Sequence, residues 1–139
     1  MTPLEALQAA LAGEHAAVHL YAVLAARASE SRQPTLHTGL VEGFRLHRKR
    51  RDQLTAMVVG RRGEPVAAEV AYALPGPIGT GAELNNAALQ VERRIARTYG
   101  QLIESTTDAE RRWALVALDE AAVRQLEFRG TPEMFPGTS

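Results

Sequence analysis

The stretch Gly60-Arg61-Arg62-Gly63-Glu64-Pro65-Val66-Ala67-Ala68-Glu69-Val70-Ala71-Tyr72-Ala73-Leu74-Pro75-Gly76-Pro77-Ile78-Gly79-Thr80-Gly81 decides the architecture of this chain. Pro65, Pro75 and Pro77, with Gly76, Gly79 and Gly81, rule out a continuous helix here. About 20 extended residues can reach about 60 Å, enough to return along the length of a helical bundle. The sequence on both sides has helical period, so residues about 61–81 read as a long crossover between two helical segments.

Each flank divides once more. Thr2, Pro3 and Glu5 have the spacing of a capping box with proline in the first turn. Leu4, Leu7, Leu11, Val18, Tyr21 and Ala25 follow with helical period to about Ala28. Ser29 to Thr35 is a short polar connection containing Pro34. A second helix runs from about Pro34 to Gly60, with Leu36, Leu40, Phe44, Leu54 and Val58 on one face. Gly39 and Gly43, four apart, suit a close approach by a neighbour. A third helix runs from about Ala82 to Ser105, with Leu84, Ala88, Ile95, Tyr99 and Leu102 inward. Thr107 or Asp108 caps a fourth, which continues to about Arg129 with Leu115, Val116, Val123 and Leu126 inward. Gly130, Pro132 and Pro136 end it, and residues about 130–139 read as a tail. Short loop, long crossover, short loop describes an all-α four-helix bundle of two hairpins, in one domain spanning 1–139.

Composition agrees. The 139 residues suit one ordinary domain with one sizeable core. Hydrophobic residues make up 45%, which indicates a globular chain. The 24 alanines favour helix and close helix–helix approach. Formal net charge is zero, so no global field recruits nucleic acid or an anionic membrane. Cysteine is absent, which excludes disulfides, thiolate ligands and a thiol nucleophile. The N-terminus has no basic region followed by an apolar run, and no apolar stretch reads as a membrane span. The expectation is a soluble cytoplasmic protein.

Each helix carries an ionisable residue inside its apolar stripe: Glu14, His47, Glu92 and Asp119. Burying a charge is costly unless it is paired, hydrogen-bonded or bound to a metal. Glu14 and His47 are roughly equidistant from the first turn, and Glu92 and Asp119 from the second, so antiparallel hairpins bring each pair level. Glu14 precedes Tyr21 by seven residues and Glu92 precedes Tyr99 by seven. The two halves thus read as a pseudo-two-fold repeat.

On these residues the chain resembles the ferritin-like superfamily. More narrowly it resembles an actinobacterial family of ferritin-like domains of unknown function. The resemblance rests on Gly13-Glu14-His15-Ala16-Ala17-Val18-His19-Leu20-Tyr21 and His47-Arg48-Lys49-Arg50-Arg51-Asp52-Gln53-Leu54. Pro65, Tyr72-Ala73-Leu74-Pro75 and Phe135-Pro136-Gly137 also carry it. It implies a ferritin-like four-helix bundle and brings no agreed activity.

Dimetal proteins of that superfamily use one Glu on each of two helices and a Glu-x-x-His pair on each of the other two. Glu14 and Glu92 match the single-Glu positions. His47 and Asp119 stand where the Glu of each pair would be, and Arg50 and Ala122 replace the histidines. Arg51 also reads as inward. A guanidinium repels a metal but neutralises carboxylates. Three acids against Arg51, Arg50 and a protonated His47 would balance without a metal. Tyr21 and Tyr99 read as core residues whose hydroxyls satisfy carboxylates.

Two classes of function follow. The first is a non-catalytic domain for binding or scaffolding, homodimeric, needing no cofactor, with a buried charge cluster in place of a metal site. The alternative is a metal-binding protein or oxidoreductase holding one Fe or Mn ion (Zn would also suit the donors) on Glu14, His47, Glu92 and Asp119. Three lesser features read as surface or interface residues. His15 and His19 have a zinc-like spacing but no third ligand. His37 lies near a helix start. The basic run Arg45 to Arg51 winds round its helix without interleaved aromatics, so nucleic acid is not an expected partner. Glu120, beside Asp119, is a substitute acid. No substrate or small-molecule ligand can be named from these residues.

Overall fold

A computed structural model describes residues 1–129 of the chain. Four helices follow one another: α1 (Pro3–Arg27), α2 (Pro34–Gly60), α3 (Gly81–Ser105) and α4 (Asp108–Glu127). Among the described residues there is no strand. The tail, including Phe135-Pro136-Gly137, lies outside the described residues.

Local sequence fixes the helix ends. At α1, the Glu5 amide donates to Thr2 Oγ1 at 3.1 Å and the Thr2 amide donates to Glu5 Oε2 at 3.3 Å. Both would otherwise be orphan donors of the first turn. Thr80 does the same for α3, accepting from the Glu83 amide at 3.1 Å. At α2, Pro34 occupies the first turn and Gln33 offers no side-chain cap. Asp108 opens α4 with φ 52°, and Thr107 makes no capping bond.

The crossover runs extended beside α1 and is fastened to it. Gln8 holds the peptides on both sides of Pro65: its Nε2 donates to the Glu64 carbonyl at 2.5 Å, and its Oε1 accepts from the Val66 amide at 2.9 Å. His15 Nε2 reaches the Val66 carbonyl at 2.9 Å. The His19 ring packs on the Tyr72 ring, centroids 5.4 Å apart. The histidine pair with zinc-like spacing therefore secures a loop.

α1 packs against both α2 and α3, and α3 packs against α4. Alanine makes this closeness possible: Ala6, Ala10 and Ala17 of α1 and Ala87, Ala88 and Ala96 of α3 are all buried. α2 meets α4 through longer side chains, in the ion pair Arg50–Glu120, and Arg61, just past the end of α2, pairs with Glu110 of α4. The Phe128 ring also fills the space beside Gly39. By length and composition α1 could cross a membrane, contrary to the sequence reading; here it is the central helix of the core.

The largest departure from the sequence reading is the rotation of α4. Ala114, Ala117, Ala121 and Gln125 face the core. Leu115, Val116, Val123 and Leu126, expected inward, are exposed. The helix is apolar on both sides, so periodicity alone does not choose between them. The alanine face lets α4 approach α3 closely, and close packing decides. Asp119 lies on the opposite face from those alanines and is exposed, away from the core.

Candidate functional site

Three of the four ionisable core candidates meet. Glu14 on α1, His47 on α2 and Glu92 on α3 are 0%, 1% and 0% exposed. The imidazole lies between the carboxylates: His47 Nδ1 is 2.6 Å from Glu14 Oε2, and Nε2 is 2.8 Å from Glu92 Oε2. Each carboxylate also receives a tyrosine hydroxyl. Tyr99 donates to Glu14 Oε1 at 2.5 Å, and Tyr21 donates to Glu92 Oε2. The result is one buried chain, Tyr21–Glu92–His47–Glu14–Tyr99.

The chain is symmetric because the sequence is. Glu14 and Tyr21 are seven apart on α1, as are Glu92 and Tyr99 on α3. α1 and α3 run antiparallel, so each tyrosine comes level with the other helix's glutamate. Each helix thus supplies an acceptor and a donor to its neighbour. The Tyr21 ring also stacks on His47, with centroids 5.1 Å apart and planes 24° from parallel. Gly43 leaves room for it: a Cβ there would overlap the Tyr21 ring. Gly43→Ala is expected to cost about 1–3 kcal/mol, the usual range for overpacking. A denaturant midpoint unchanged from wild type would show that Tyr21 can shift freely.

Electrostatics decides the protonation state. Burial alone would lower the His47 pKa, but Glu14 and Glu92, by charge and hydrogen bond, raise it from 6.5 to about 10. At neutral pH the ring is an imidazolium that donates from both nitrogens. Burial and the neighbouring carboxylates push both tyrosines well above their ordinary value, so their hydroxyls stay protonated.

Two arginines stand behind the tyrosines. The Arg50 guanidinium, 5% exposed, lies 5.6 Å from the Tyr99 ring centroid and 5.8 Å from that of Trp113. It pairs with Glu120, the acid read from sequence as a substitute for Asp119. On α4, Arg124 is close enough to Tyr21 to oppose the rise in its pKa. Arg50 follows His47 by three residues; Arg124 follows the core-facing Ala121 by three. Arg124 was missed because α4 was read in the wrong rotation; with Ala121 inward, the parallel with His47 and Arg50 points to it. Arg51, expected in the cluster, is partly exposed and pairs with its neighbour Asp52. One residue along a helix is a turn of about 100°, and it is Arg50 that has an acid across the bundle.

Neither Asp119 nor Ala122 reaches the cluster, and at this level α4 contributes alanine. The nitrogens of His47 point in opposite directions, each toward a carboxylate. Among the described residues, no three of His, Asp and Glu converge on a common point. One carboxylate oxygen, Glu92 Oε1, is buried without a hydrogen-bond partner. The basic run of α2 lies mostly outside: Arg45, Arg48 and Lys49 are exposed, with Arg48 lying over Phe44.

The fold and site together define a class: a four-helix bundle of two hairpins, tied at its centre by a carboxylate–imidazolium–carboxylate bridge. The chain belongs to the DUF4439 family, a domain of unknown function, whose model matches residues 6–139. It is similar to the crystal structure of a conserved hypothetical protein, rv2844, from Mycobacterium tuberculosis. The two share 28% identity with a TM-score of 0.83, over 91% of this chain and 87% of that one. No curated protein matches it.

Proposed function

We propose that this is a non-catalytic, ferritin-like domain in which a protonated histidine occupies the place of a metal. The observation that carries this reading is the position of His47. Its imidazolium sits between Glu14 and Glu92 and donates to both. A cation bridging two carboxylates from two helices is what a metal supplies in a dimetal bundle. A metal ligand needs a nitrogen lone pair, and both nitrogens of the imidazolium carry protons. Arg50 stands where a Glu-x-x-His motif would place its histidine, and α4 presents alanine. These residues do not fit a dimetal centre. The cluster then serves rigidity, and binding or scaffolding falls to the surface.

The unpartnered Glu92 Oε1 favours a second reading: a single Fe, Mn or Zn ion that displaces the histidine protons and recruits this oxygen. Elemental analysis of protein purified without chelator or metal affinity separates the two, with His47→Ala alongside. The expected result is no stoichiometric metal and no rise in melting temperature on adding Fe(II) or Mn(II). About one ion per chain, lost in His47→Ala, would overturn the proposal.

A further inference from the structure

The outward face of α4 is unusually apolar. Leu115, Val116, Val123 and Leu126 are 46%, 57%, 56% and 48% exposed and form one stripe about 16 Å long. Exposed Asp119 interrupts the stripe at its middle, and the apolar residues on either side of it have the exposure of a contact site. The core is already closed on the other side of the helix by Ala114, Ala117 and Ala121.

We infer that this stripe is the contact surface for a second copy of the chain, with α4 packed antiparallel on α4 across a two-fold axis near residues 119–121. The stripe is its own complement in that arrangement. Val116 of one copy meets Val123 of the other, and Leu115 meets Leu126. The flanking charges agree: Arg112 at one end comes opposite Glu127 at the other, twice by symmetry; Glu127 lies 3.7 Å from Arg124 of its own helix and is still half exposed. Arg112 and Glu127 are both exposed on the same face of α4 as the apolar residues. A partner of another kind would not require the charges at the two ends to be opposite. Asp119 lies beside the axis, where two copies bring like charges together. With one helix face per copy the interface is at the small end of those that are stable. The association is therefore reversible.

Sedimentation velocity over nanomolar to high micromolar concentrations tests this. A concentration-dependent dimer is expected. Val116→Arg should raise its dissociation constant at least about tenfold, as for a residue at an interface centre. Arg112→Glu should weaken it, and Arg112→Glu combined with Glu127→Arg should restore it. All three positions face solvent, and an unchanged unfolding transition confirms that each variant folds. A chain monomeric throughout, as when residues 130–139 or some other partner cover the stripe, overturns the inference. So does a dimer indifferent to Val116→Arg, or a charge swap that fails to restore association.

Discussion

His47→Ala is expected to lower stability by about 3–5 kcal/mol, the cost of breaking a buried ion pair from one side. The substitution leaves Glu14 and Glu92 facing a void, each with only a tyrosine donor. Chemical denaturation of both proteins near neutral pH measures this. A loss under about 1 kcal/mol would mean that the bridge contributes little beyond a surface ion pair.

Stability should fall as the solution becomes alkaline. Folded His47 binds its proton more tightly than unfolded His47, with a pKa raised from 6.5 to about 10. The resulting contribution is complete below about 6.5, shrinks as pH rises, and is gone once pH passes the folded value. The groups facing the ring do not cancel this. Glu14 and Glu92 favour the charged ring, and Tyr21 is held protonated by burial and by Glu92. Behind Tyr21 stands Arg124, and beyond Glu14 and Tyr99 stands Arg50. Melting temperature measured from pH 6 to pH 10 should decline in wild type. In His47→Gln, which cannot ionise, the decline should be much shallower. Parallel profiles for the two proteins would remove His47 as the cause.

How much of this was legible in the sequence depended on how one-sided each helix is. The crossover was readable because proline and glycine act locally, whatever packs around them. The start of α1 was readable from Thr2, whose side chain caps its own helix; the Thr80 cap of α3 is a feature the structure adds. In α1, α2 and α3 the large apolar residues lie mostly on one face. Glu14, His47 and Glu92 could therefore be placed inside before any contact was known. Tyr21 and Tyr99 followed from the matching seven-residue spacing.

α4 failed the same reasoning for a physical reason. Its alanines and its leucines and valines lie on opposite sides, and a count of apolar positions favours the bulkier side. Close approach to α3 favours the smaller one. That rotation removed Asp119 from the site and brought in Arg124. The choice between Arg50 and Arg51 depended on Glu120, on another helix, and nothing in α2 could reveal it.

The crossed pattern of the hydrogen bonds has a consequence for how the chain folds. Tyr21 belongs to the first hairpin but satisfies Glu92 of the second; Tyr99 belongs to the second but satisfies Glu14 of the first. A hairpin that collapsed alone would bury its glutamate without the tyrosine meant for it. Each half is thus a poor folding unit, and the two gain their order together. In place of two independently opening halves, the network favours one cooperative unit whose central amides exchange only when the whole bundle opens.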